Sequence, residues 1–173
     1  MPDRLHHDAH QQSGDDLLQL ADDPDSSQAP PRARIFIVTG SGIDAERCAR
    51  PLAYTLLEEI ERVVRSTIDD EGQTPSVAAS VCADLWAVGM RWPMGAALIA
   101  IGPPSQNAVS AFLANRLPSV STESRRYAVL MEPMLDGPHV CCYGEDAATT
   151  ADAVRCFRDR HLPGFVESVL RTQ

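Results

Sequence analysis

Three short polar stretches hold the residue types that binding or catalysis would use. They are Thr39-Gly40-Ser41-Gly42, Asp84 with Trp86 two positions on, and Ser105-Gln106-Asn107 after Gly102-Pro103-Pro104. An aspartate beside an aromatic ring can serve as a general base, because apolar surroundings raise a carboxyl pKa towards neutrality. The alternative is that Asp84 caps a turn and Trp86 is core. Ser105, Gln106 and Asn107 put a hydroxyl and two amides at a predicted helix N-terminus, whose dipole favours an anion or a carbonyl oxygen. Ser105 is a helix cap, a ligand contact or both. As a nucleophile it lacks the G-x-S-x-G elbow, and the body of the chain offers it only His139 and His161 as bases. Asp84 and Ser105 are therefore the catalytic candidates, and whether the chain is an enzyme stays open.

The run Gly40-Ser41-Gly42-Ile43-Asp44-Ala45 matches the G-x-G-x-x-(G/A) turn that seats a dinucleotide pyrophosphate on a helix N-terminus. Three features oppose that ligand. A helix starting inside the glycines would carry Pro51 in its interior, at roughly 3 kcal/mol. Proline is welcome in a first turn, so the spacing predicts a helix from Pro51 and a long loop over residues 40–50. The ribose-binding acid expected about 20 residues on falls at 58–60, in the middle of that helix. Asp44 would also set a negative charge where the phosphate should sit. The expectation is a sharp turn forming one wall of a polar pocket, with no cofactor.

Other chemistries fall away on composition. Every basic residue among the 15 Lys+Arg is arginine, which removes the phosphate-loop lysine, lysine Schiff bases and serine–lysine pairs. The five cysteines, Cys48, Cys82, Cys141, Cys142 and Cys156, show no C-x-x-C spacing, so neither a zinc knuckle nor a thioredoxin-type dithiol is indicated. Cys48, between Arg47 and Arg50, is either a reactive thiol or an inert loop residue. A net charge of -9 argues against nucleic-acid and anionic-membrane partners, which need clustered positive charge. With no signal-type opening and no apolar run near ~20 residues, the reading is cytoplasmic.

Behind these loops stand the elements that must position them. Residues 1–33 carry seven Asp against two Arg and no Ile, Val or aromatic residue, so they read as a disordered acidic tail. Within it, His6, His7 and His10 have no scaffold to hold a metal, and Leu17-Leu18-Gln19-Leu20 could dock on a partner groove. Residues 34–173 read as a single α/β domain. Strands are predicted over 34–38, 94–102, 127–131 and 139–143, and helices over 51–69, after Ser105, and after Gly144 with a break at Pro163; the small residues of 76–88 satisfy either period, with a strand over 77–83 preferred to a helix. Asp84 to Met94 reads as a short helical or irregular piece. Asp136-Gly137 between prolines marks a hairpin turn joining the last two strands. The fold class is a three-layer α/β/α domain with a mixed, mostly parallel sheet of about five strands.

In such sheets ligands gather beyond the carboxyl ends of the parallel strands. The predicted ligand residues are Thr39, Gly40, Ser41, Gly42, Asp84, Trp86, Ser105, Gln106 and Asn107. The expected function is binding of a polar or anionic small molecule there, with hydrolase or transferase chemistry as one outcome. The competing reading is a scaffold or interaction module that self-associates or docks a protein partner.

Overall fold

Ala33–Thr39 forms strand β1, and its alternation assigns each side chain to a layer. Ala33, Ile35 and Ile37 pack on one face of the sheet and Phe36 and Val38 on the other, as the period of two in extended backbone requires. The structure is a computed structural model describing residues 33–67, 77–89, 96–123, 126–132 and 138–171, all within one compact unit, Pro31–Gln173. The tail, with His6, His7, His10 and the leucine cluster, lies outside the described residues, as do most of the residues between Met131 and His139.

Five further strands follow: β2 (Val77–Ala83), β3 (Ala97–Ile101), β4 (Ser119–Glu123), β5 (Tyr127–Met131) and β6 (His139–Gly144). They form one mixed sheet in the order β2-β1-β3-β6-β5-β4. Parallel ladders join β2, β1, β3 and β6, while β5 runs opposite to them and pairs antiparallel with both β6 and β4. The expected architecture holds, with six strands where about five were predicted. The extra one is β4, Ser-Val-Ser-Thr-Glu, whose polar sequence carries no apolar run and whose ladder with β5 is irregular between Ser119 and Ser121. An edge strand needs only one partner, so its hydrophobic signal is weak.

Helices α1 (Ile43–Ser66), α4 (Ala147–Arg160) and α5 (Leu162–Arg171) cover one face, and α2 (Asp84–Gly89) and α3 (Ala108–Ala114) the other. Crossover handedness explains this division. The step from β1 to β2 and the step from β2 back over β1 to β3 run in opposite directions, so right-handed connections put α1 and α2 on opposite faces. No described helix is long and apolar enough to cross a membrane.

The start of α1 corrects the expectation built on Pro51. The helix begins at Ile43, directly after Gly42, and runs through Pro51. The buried stripe explains why: Ala45 and Ala49, each 5% exposed, continue the series Ala53, Leu56, Ile60 and Val64 upstream of the proline. Asp44 and Glu46 complement the helix dipole in the first turn, and Arg50 pairs with Glu46 at 2.7 Å. Two extra turns of backbone bonds and two buried methyls together outweigh one local penalty of roughly 3 kcal/mol. Pro51 is exposed, so Pro51→Ala should restore a ladder bond without disturbing packing. After allowing for the looser unfolded chain, a gain of about 2 kcal/mol is expected in urea unfolding. An unchanged or lower midpoint would show that the proline is already accommodated without cost.

Candidate functional site

The loops after β1 and β3 leave the sheet on opposite faces, β1 into α1 and β3 into α3, and so open a crevice between two adjacent strands. Two side chains hold the crevice open. Asn107 is 1% exposed; its Nδ2 donates to the Val38 and Ile101 carbonyls, both at 3.0 Å, which ties the ends of β1 and β3 together. Its Oδ1 accepts from the Val109 and Ser110 N–H groups at 2.9 and 3.2 Å and so caps α3. The cap is therefore Asn107 and not Ser105, which stays exposed.

Asp84 does the equivalent on the other side of β1. Its Oδ1 accepts from Leu85 N–H and its Oδ2 from Ala108 N–H, both at 2.8 Å, so it joins the end of β2 to the start of α3. With both oxygens taken by backbone donors, Asp84 is a strut. Trp86 is not core as the alternative reading had it: it is 44% exposed and packs against Phe36 with ring centroids 5.6 Å apart and planes tilted by 45°.

Gly40 is the point of closest approach. A Cβ there would lie 2.0 Å from the Gln106 carbonyl oxygen, so only glycine lets the β3–α3 loop cross the end of β1. Gly42, extended at φ -78°, has open space around it and serves as the N-cap of α1. Gly102, at φ +112°, turns the chain out of β3 in a conformation side chains rarely adopt.

Beside this framework lies a cleft of about 230 Å³, below the ~300–1,000 Å³ of sites for drug-sized ligands and so suited to a smaller molecule. Its walls come from three strand ends. Gly40 with Asp44, Ala45, Cys48 and Ala49 forms one side; Ile101, Gly102, Pro103, Gln106 and Asn107 the second; Glu145, Asp146, Ala147 and Thr150 the third. Of the predicted residues, Gly40, Gln106 and Asn107 line it. Gly42, Asp84 and Ser105 line a more open groove next to it, which shares Asp44, Ala45, Gln106 and Asn107. Thr39 is fully buried, Ser41 is exposed, and neither they nor Trp86 border the cleft or that groove.

Hairpin spacing alone does not reveal the third wall, which comes from β6. That strand also pairs in parallel with β3, so its carboxyl end reaches the same edge. The available signal was the strand followed by Gly144-Glu145-Asp146, an acid cap after a glycine. Asp146 caps α4, accepting from the Thr149 N–H at 2.8 Å while the Thr149 hydroxyl bonds back to the Asp146 N–H. The Thr149 backbone and hydroxyl bonds, more than the nearby Arg126 charge, hold the Asp146 carboxyl below its usual pKa.

Three acidic residues, Asp44, Glu145 and Asp146, thus line the cleft and no basic residue does, the nearby cation being Arg126 beside Asp146. Cys48 lines it as an exposed thiol. The other cysteines suit packing: burial pushes the Cys82 and Cys141 thiols up to about 11 and Cys142 further from ionisation, which makes them poor nucleophiles. Cys141 and Cys142 face opposite layers, as strand alternation predicts. A serine–histidine contact exists elsewhere, with Ser121 Oγ 3.1 Å from His161 Nε2. It sits on β4, three strands from β3, and burial holds the His161 pKa below its usual value. Among the described residues no cluster of His, Cys, Asp and Glu could hold a metal ion. No protein family matches the chain, and no curated protein resembles it closely enough to count as a relative.

Proposed function

We propose that this domain binds a small polar molecule in the cleft at the carboxyl ends of β1, β3 and β6, one bearing an amine, a guanidinium or several hydroxyls. The reading rests on one observation: three strand-to-helix connections converge where adjacent loops part to opposite faces, the place where open α/β sheets take ligands. The charge of the lining decides between ligand classes. Three acidic residues against one nearby cation, Arg126, disfavour a phosphate or carboxylate and suit a cation or hydroxyl donors. The struts Asp84 and Asn107 keep the loops in place before any ligand arrives, so little ordering cost falls on binding.

A thermal-shift comparison tests this. Small amines, guanidines and polyols form one series; nucleotides, sugar phosphates and carboxylates form the other. A ligand at 100 times its dissociation constant adds roughly 2.7 kcal/mol of stability, which raises Tm by several degrees. Members of the first series should do this, and the response should vanish in Cys48→Phe, which fills the cleft from an exposed position on α1. A response to the anionic series alone, or one that survives Cys48→Phe, would overturn the proposal.

A further inference from the structure

Parallel strands are ordinarily covered on both faces, yet among the described residues the second face of this sheet is thinly covered over β1 and β2. The crossover there contains α2, six residues or about 9 Å of helix, against strands of seven residues or roughly 23 Å. α2 buries Asp84 and Ala87 and leaves Leu85, Trp86 and Val88 at 68%, 44% and 52% exposure. Beside it, the registered pairs Arg34 with Ala78 and Phe36 with Ser80 form a floor in which Arg34, Ala78 and Ser80 are exposed. The result is an apolar step with small side chains at its foot.

The charge on this face is as distinctive as its shape. In a chain of net charge -9, the described elements β1, β2, α2 and α3 expose one arginine, Arg34, on this side, and the turn after α3 adds Arg116. The single carboxylate among them, Asp84, is buried and saturated by two backbone N–H groups. Arg116 extends over the Phe112 ring, 3.7 Å from its centroid. A second copy of the same face would bring arginine to arginine across a two-fold axis, which disfavours self-pairing.

We infer that this face docks an amphipathic helix of a partner protein whose apolar stripe is flanked by carboxylates. The stripe would lie along Leu85, Val88 and the Phe36–Trp86 pair, and its acidic flank would meet Arg34. The helix would complete the layer that α2 begins. This site is separate from the cleft, and neither proposal depends on the other.

The test uses the full chain and two labelled 16-residue helical peptides. Both carry leucine at helical spacing, one with glutamate on both flanks and the other with lysine, and binding is read by fluorescence polarisation. The glutamate peptide should bind and the lysine peptide should bind at least tenfold more weakly. Leu85→Asp should weaken the glutamate peptide at least tenfold, and Arg34→Glu should reverse the preference between the peptides. Both positions are exposed, so folding should survive; a melting curve confirms it. Absence of glutamate-peptide binding, equal binding of both peptides, or indifference to Leu85→Asp overturns the inference. So does concentration-dependent self-association abolished by Leu85→Asp, which would name a second copy as the occupant.

Discussion

Replacing Asn107 with alanine should lower the unfolding free energy by about 3–7 kcal/mol, a large share of the ~5–15 kcal/mol that holds an ordinary domain together. The estimate follows from its four hydrogen bonds. Removing Nδ2 strips the Val38 and Ile101 carbonyls of their donor, at roughly 1–3 kcal/mol each where water cannot replace it, and removing Oδ1 uncaps α3 at about 1 kcal/mol. Asn107→Asp refines the test, because it keeps the cap and turns the donor into an acceptor aimed at two carbonyls. Such a carboxyl should have its folded-state pKa raised, so its penalty is largest at neutral pH and shrinks as pH falls below that raised value. Urea unfolding at pH 7 and pH 5 would measure both variants. If Asn107→Asp lost as much stability at the lower pH, or Asn107→Ala lost less than about 1 kcal/mol, the bridge between β1 and β3 would not have the role assigned to it.

Gly40→Ala should be nearly as damaging, at about 3 kcal/mol, because the added methyl meets backbone that has no rotamer to change. The β3–α3 loop would have to move away from β1, and with it Asn107, so the ligand response of the cleft should disappear together with the stability. Gly42→Ser supplies the control. Its backbone is in the extended region where a serine N-cap is favourable, and stability should change by no more than about 0.5 kcal/mol. This ordering is the reverse of what a dinucleotide cradle requires, where the second glycine admits the pyrophosphate. Equal sensitivity at Gly40 and Gly42 in thermal unfolding would reopen the phosphate reading.

How far the chain could be read unaided depended on whether a local signal competed with a distant one. β3, an unbroken apolar run, was legible because a doubly covered strand must be uniformly apolar, whereas β2, a half-exposed edge strand of small residues, fits the helical period as well as the extended one. The start of α1 was not legible, since the cost of Pro51 is local and visible while the gain from Ala45 and Ala49 depends on a sheet face that only the fold supplies. Asp84 and Asn107 were legible as polar residues at strand ends, but their use as struts was not, because their partners lie 24 and 69 positions away. The acidic third wall was hidden by a choice of pairing: β6 is both the second arm of a hairpin and the fourth parallel strand.

The division of labour around Asn107 bears on how such a pocket can change over time. The groups that fix the loop geometry, Asn107, Asp84 and Gly40, spend their contacts on backbone, whereas Asp44, Cys48 and Glu145 stand exposed at the cleft. Under the proposed function, ligand preference would therefore drift, or be rewritten in the laboratory, by exchanging those three side chains while the scaffold keeps its shape.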